Sequence, residues 1–329
     1  MNIVQFVMSG GWGGSEAIAF ELANELSRSE SIAVVVSTSE NHSLEFYRSK
    51  LTHEVTLVDG TDLATDVLAS LPFSPDILHG HLRSGLVRMR NIKGPKKVGH
   101  MHMRFYPSQF ANTDAVVAVA PWQLADVPRN YPGQTFLVPN FLPHQPEPET
   151  PFHDKLKIEI GIPLSAHLVG TTGRLNHDKG FDVLIEAMRL VGEDVHCVIV
   201  GRGDQEDALR RQAEDLANVH FLGFRSDVMH VLYGLDSYVS SSRADSFGLS
   251  LLEAMHIGLP VAATKTFGGR YLLEHLPERL VEMEDHIDLA SAINSLVLKN
   301  RQPIDYRLDR FDKRTSCAAL LDAYNRILM

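Results

Sequence analysis

Short apolar runs alternate with amphipathic stretches along the whole of this chain, and a chain patterned in this way has few folds open to it. In the first half, Ile3–Met8, Ile32–Val36, Val55–Val58, Asp76–His81, Lys97–His102, Asp114–Ala120 and Thr135–Val138 read as strands. Between the first two, Ser15–Ser27 repeats Ile18, Leu22, Ala23 and Leu26 on one helical face. Strand–helix–strand repeats of this kind predict a mostly parallel sheet covered on both sides. Residues 141–151 then carry four prolines and no helical period, the mark of a linker. Beyond it the theme starts again. Leu168–Thr172, Val195–Val200, Val219–Leu222, Ser237–Ser241 and Pro260–Thr264 read as strands, with helices such as Gln205–Leu216 and Asp227–Leu235 between them. The chain has 329 residues, room for two ordinary domains. The expected division is 1–145, 146–308 and a last amphipathic helix within 309–329 that packs back on the first domain.

Charge and cysteine usage narrow the function classes. Forty-one acidic residues against 31 basic ones give a net charge of −10, which argues against a general nucleic-acid binder. Cys197 and Cys317 fall in a predicted strand and a predicted helix, as buried thiols of a reducing compartment would. The first residues, Met1-Asn2-Ile3-Val4, enter a strand with no basic segment before them, unlike a secretion signal. No apolar run approaches the roughly 20 residues of a membrane-spanning helix. The expectation is a cytoplasmic protein, at most peripheral at the inner face of a membrane.

The most informative stretch runs from Tyr238 to Met255. Tyr238-Val239-Ser240 reads as a buried strand that turns helical at about Ser246, and the carboxyl end of such a strand is where open α/β sheets bind ligands. Leu251, Leu252 and Met255 fall on one helical side, Ser246, Ser250 and Glu253 on the other. Asp245 precedes the helix. Two carboxylates suit hydroxyl groups, and the free N–H groups of the helix start between them suit an anion. A ligand with a sugar at each end of a diphosphate would use all three.

Other loops add to this. Gly173-Arg174-Leu175-Asn176-His177-Asp178-Lys179-Gly180 lies between a strand and a helix, with Arg174 and Lys179 placed to converge on one diphosphate. Gly201-Arg202-Gly203 is expected to let the backbone approach the ligand, a nucleobase would lie against Phe224, and Gly268-Gly269 would complete the rim. After the first strand, Gly10-Gly11-Trp12-Gly13-Gly14-Ser15-Glu16 offers a glycine loop, with Gly13, Gly14 and Ser15 facing an anion or sugar. Glu16 stands where a dinucleotide fingerprint needs its third glycine, so an oxidoreductase is poorly supported. His79, His81, His100 and His102 form two pairs, each two residues apart on a strand and so facing one way. No cysteine or patterned carboxylate completes a ligand set, so no metal is expected; His102 is the favoured cleft residue, His81 the next, with His79 and His100 as core. Arg83, Arg88, Arg90, Lys93, Lys96, Lys97 and Arg104 occur with no acid between them, either a solvated face or an attraction for an anionic acceptor or membrane.

Together these motifs resemble those of the family-4 retaining glycosyltransferases. Asp245…Glu253 is spaced as the family's E-x7-E, within Phe247-Gly248-Leu249, Glu253-Ala254-Met255 and Gly258-Leu259-Pro260-Val261. Gly173-Arg174-Leu175…Lys179-Gly180 resembles the phosphate-binding Arg/Lys pair, Gly13-Gly14-Ser15-Glu16 the first-domain loop, and Val138-Pro139-Asn140 the end of that domain. The resemblance covers almost the whole chain and implies the GT-B fold, two Rossmann-like domains facing across a cleft. It implies a nucleotide-diphosphate sugar as donor and a carbohydrate or lipid-linked acceptor, with neither cofactor nor metal. In it Arg174 and Lys179 bind the diphosphate, Glu253 the ribose hydroxyls and Asp245 the donor sugar. The amides around Phe247, Gly248 and Leu249 support phosphates or sugar, and His102 sits near the reacting sugar. Asp245 is one methylene shorter than the family's usual glutamate, and Phe141 replaces the glycine common after Asn140. A nucleotide-sugar epimerase on the same fold and a non-catalytic nucleotide-sugar-binding subunit stand as alternatives.

Overall fold

The computed structural model describes residues 1–40, 42–60, 64–142, 153–298 and 304–329. Residues 143–151 of the expected linker lie outside them. The chain divides into two compact units, Met1–His144 with Asp309–Met329, and Gln145–Leu308.

The first unit holds seven strands: β1 (Asn2–Val7), β2 (Ser31–Val36), β3 (Thr56–Asp59), β4 (Ile77–His81), β5 (Lys96–Met101), β6 (Ala115–Ala118) and β7 (Gln134–Leu137). They pair in the order 3-2-1-4-5-6-7, every pair parallel. Strands such as Ser31-Ile-Ala-Val-Val-Val36 carry apolar side chains on both faces because both faces are covered. On one face Val4, Phe6, Val35, Leu78, Met101 and Val116 pack with Leu86, Met89 and Phe110. The opposite face is less uniform. Gln5 of β1 sits in register with His79 of β4, and His81 of β4 with His100 of β5, all four buried. The helix Lys313–Leu328 belongs to this unit: Leu320, Ala323 and Tyr324 are fully buried, and Lys313 pairs with Glu21 of the helix Gly14–Leu26 at 3.0 Å. Each large side chain buried in this way contributes about 1.5–3 kcal/mol.

The second unit holds β8 (His167–Thr172), β9 (Val195–Val200), β10 (Val219–Gly223), β11 (Ser237–Ser240), β12 (Val261–Thr264) and β13 (Leu280–Val281), all parallel in the order 10-9-8-11-12-13. Its core joins Val169, Cys197, Ile199, Val239 and Ala262 of the sheet to Leu184, Ile185, Leu289 and Ile293 of the helices Phe181–Met188 and His286–Leu298. The strands expected from sequence fall within two residues of those observed. β13 was not anticipated, because two residues are too few to show a period. Cys197 and Cys317 are free and buried, and burial pushes both thiols up to about 12.

Candidate functional site

In the second sheet the strand order reverses between β8 and β11, so the loops that leave their carboxyl ends diverge there. The loop after β8 runs through Arg174 into a short 3-10 turn, His177–Lys179, and then into the helix Phe181–Met188. The loop after β11 runs from Ser241 to Gly248, ahead of the helix Leu249–His256.

The two loops are stitched together. The Arg243 and Ala244 amides donate to the Asp178 carbonyl at 2.8 and 3.2 Å, and Ser241 Oγ donates to the Lys179 carbonyl at 2.9 Å. Gly180 makes that approach possible. Its φ is +60°, and a Cβ there would lie 2.2 Å from the Ser241 carbonyl oxygen. Arg243 adds side-chain bonds, a two-pronged contact with Asp182 at 2.7 Å on each prong, a second carboxylate in Glu284, and the His177 carbonyl at 2.9 Å. The guanidinium holds the Asp182 carboxyl below its ordinary range, and the two carboxylates raise the arginine further.

Within this frame Lys179 Nζ donates to Asp245 Oδ2 at 2.8 Å. Burial disfavours the ammonium charge, but the Asp245 carboxylate outweighs it and the pKa rises above the ordinary lysine value. The other carboxylate oxygen of Asp245 accepts the Phe247 amide at 3.2 Å. Arg174 is exposed at the start of the same loop. Glu253 lies in the second turn of the helix Leu249–His256, where burial pushes its carboxyl up to about 7. The buried Tyr238 hydroxyl feels the charges of both Lys179 and Glu253 and bonds to Thr172. The two loops and the helix after them thus carry an ion pair, a second cation, a second carboxylate and a helix start. Such a set can hold a diphosphate flanked by hydroxyl-bearing groups.

The structure corrects one sequence expectation here and adds to two others. The helix begins at Leu249 rather than at about Ser246, because Gly248 takes a left-handed φ of +91° and delays it. Gly201 and Gly203 do admit a close approach, but of the chain to itself: Cβ atoms there would lie 1.8 Å from the Gly173 carbonyl and 2.1 Å from that of Leu175. Lys179 and Asp245, expected on the same strand-end face with the diphosphate and the donor sugar as their ligands, form an ion pair. Phe224 follows β10 and is 68% exposed, an aromatic face open to a ring. Phe247 is buried behind the loop. Arg243 was missed; its signal lay in being the one cation inside the stretch that links the strand to the acidic pair.

In the first unit, Gly13 is the residue before the helix Gly14–Leu26, with Gly14 and Ser15 in its first turn and no side chain capping it. Glu16 is buried just behind. Trp12 packs edge-on against Phe20 and Phe46 at 5.1 and 5.5 Å between ring centres, which anchors the loop. The four histidines form one stack, in which His79 and His100 are buried as expected, His81 is buried too, and His102 is partly exposed. His79 Nδ1 meets the Tyr324 hydroxyl at 2.5 Å, His100 Nδ1 meets His79 Nε2 at 3.2 Å, and His81 Nδ1 meets His102 Nε2 at 3.1 Å. Burial lowers all four, His102 to about 4. The basic run 83–104 is less bare than its sequence: Lys96 faces Asp114 at 3.5 Å and Arg104 faces Asp126 at 3.1 Å, acids supplied by later segments. Arg83, Arg90 and Lys93 remain exposed.

Two Rossmann-like units, each with an all-parallel sheet, are the architecture of the GT-B fold. Residues 166–299 match the family described as glycosyl transferases group 1. Over 270 residues it is 29% identical to the lipopolysaccharide core biosynthesis glycosyltransferase LpsE of Rhizobium meliloti, covering 77% of this chain and 76% of that one. Over 182 residues it is 32% identical to the phosphatidyl-myo-inositol mannosyltransferase of Mycolicibacterium smegmatis, covering 51% of this chain and 47% of that one. The fold is similar to that of Anabaena Alr3699/HepE, solved in complex with UDP and glucose, with a TM-score of 0.82 at 20% identity over 99% of each chain. No helix among the described residues is long and apolar enough to cross a membrane.

Proposed function

We propose that the chain transfers a sugar, with retention at the anomeric carbon, from a nucleotide-diphosphate sugar to an acceptor hydroxyl of a surface polysaccharide or related glycoconjugate. The observation that carries this is the partly buried Lys179–Asp245 ion pair, on the loop that also holds Arg174 and ahead of the Leu249 helix start. Lys179 and Arg174 take the diphosphate, Asp245 turns to the donor sugar, and Glu253 accepts the ribose hydroxyls. The amides around Phe247, Gly248 and Leu249 support the phosphates, and Phe224 stacks on the base. In the reaction the bond from the anomeric carbon to the diphosphate breaks, and its electron pair stays on the leaving phosphate. The acceptor oxygen bonds to the same face and its proton passes to that phosphate. The fixed cations and helix start stabilise the growing charge more than they stabilise the ground state, so the donor phosphates need no metal ion. His102 serves near the reacting sugar, and the loop at Gly13, Gly14 and Ser15 takes polar groups of the ligands. The carbohydrate or lipid-linked nature of the acceptor is supported by the similarity to LpsE, a lipopolysaccharide core biosynthesis glycosyltransferase. The exposed cations Arg83, Arg90 and Lys93 suit peripheral contact with an anionic membrane surface.

Calorimetry with UDP-, GDP- and ADP-sugars tests the site. One base is expected to bind saturably, unaffected by added Mg²⁺, and to lose most of its affinity in Arg174→Ala and Lys179→Ala. Unchanged affinity in both variants overturns the phosphate assignment. Product analysis by NMR gives the anomeric outcome, and an inverted product removes retention.

A further inference from the structure

The histidine stack of the first unit is unusual in composition. His79 and His81 on β4 and His100 on β5 are at most 2% exposed, and one ring nitrogen from each lies within 4.8 Å of the others. Neutral imidazoles carry one donor and one acceptor nitrogen, so a buried stack needs partners for both. It does not have them: the Nε2 atoms of His81 and His100 are buried without a hydrogen-bond partner. Gln5, in register with His79, likewise has both side-chain polar atoms buried and unsatisfied. An unpaired buried polar atom costs about 1–3 kcal/mol, and two such imidazoles on adjacent strands need an occupant.

The geometry points to a transition-metal site: we propose that His79, His81 and His100 bind one divalent ion of the zinc or cobalt class. Imidazole nitrogen is the favoured ligand for such ions. Ligand nitrogens around a tetrahedral zinc are about 3.3–3.4 Å apart, given Zn–N bonds of about 2.0–2.1 Å. One nitrogen from each of the three rings already lies within 4.8 Å of the others, and ring rotations that release the 3.2 Å hydrogen bond between His100 Nδ1 and His79 Nε2 would close them to that spacing. The outer partners are also in place. The Tyr324 hydroxyl engages Nδ1 of His79 and His102 engages Nδ1 of His81, which leaves Nε2 on each as the presented nitrogen. The site would pin β4 and β5 to the helix Lys313–Leu328 through Tyr324, a structural role separate from the donor phosphates.

The test uses the full-length protein stripped with a chelator, with Co²⁺ and Zn²⁺ as probes and no assay of transfer. Co²⁺ is expected to bind at one per chain, with the visible absorption of a tetrahedral ion, and Zn²⁺ to displace it and raise the melting temperature. His81→Gln with His100→Gln should abolish the absorption, and Tyr324→Phe should weaken binding about 10–100-fold, as loss of an outer partner does. His196→Gln with His220→Gln, which removes the other stacked pair, should change nothing. No saturable tetrahedral site in the wild-type protein overturns the proposal whether or not the variants fold. So does absorption that survives in folded His81→Gln/His100→Gln protein. Neither result bears on donor binding, which the calorimetry reads separately.

Discussion

Glu253 offers the sharpest quantitative prediction. Burial raises its carboxyl from 4.5 to about 7. Below pH 4.5 the folded and unfolded chains both hold the proton, and the group costs nothing. Between 4.5 and about 7 the folded state keeps a proton that the unfolded state has released, so stability falls as pH rises. Above that both are ionised and the full cost applies: at about 1.36 kcal/mol per pKa unit, about 3 kcal/mol. Glu253→Gln keeps the shape and removes the charge. It should match the wild type near pH 5 and exceed it by about 3 kcal/mol at pH 8.5. At roughly 2–4 °C per kcal/mol for a unit of this size, that is about 6–12 °C in the melting transition. The same substitution should weaken nucleotide-sugar binding by about 1.5–3 kcal/mol, the value of a hydrogen bond to a charged group. Wild-type affinity should rise as pH passes 7, since the carboxylate accepts hydroxyls better than the acid, while the variant stays flat. Calorimetric unfolding and binding at four pH values read both effects. Parallel pH profiles for the two proteins would refute the assignment of a buried, strained carboxyl.

Three further perturbations act on the loops around it. Gly180→Ala places a side chain at φ +60° against the Ser241 carbonyl; beyond the about 1–2 kcal/mol left-handed cost, it should separate the two loops and abolish donor binding, and a variant that melts and binds normally would show that the stitching is dispensable. Arg243→Lys removes the planar fork that holds Asp182 and Glu284 together; thermal stability should drop and KM for the donor should rise more than kcat falls, whereas an effect on kcat alone would contradict a positioning role. Asp245→Ala leaves burial of Lys179 unopposed, so its pKa should fall and donor affinity should decline at a lower alkaline pH than in the wild type. An unchanged alkaline limb would mean that the pair does not set the lysine's charge.

How much of this the sequence revealed depends on how local each signal is. β1 and β8 were legible because five consecutive buried positions in each carry mostly apolar or small side chains. The order 3-2-1-4-5-6-7 was legible only as a class, because alternation predicts parallel strands but not which are neighbours. The site followed the same rule. Arg174, Lys179, Asp245 and Glu253 stood out because each occupies a fixed place beside a strand end or on a helix face. What they do to one another did not, since Lys179 and Asp245 are 66 residues apart and their 2.8 Å contact depends on β8 lying beside β11. Glu253 shows the same limit: its spacing was visible, while a carboxyl at about 7 comes from what is packed over it. The histidines make the argument most fully. Strand periodicity correctly put His79 with His81 and His100 with His102. Taken strand by strand, it could not show that His81 would be buried with His79 and His100. Register sets His81 beside His100, Tyr324 arrives from a helix 245 residues after His79, and only their convergence leaves two imidazole nitrogens buried without a partner. A metal needs those nitrogens to converge, and convergence is a property of the sheet rather than of either strand.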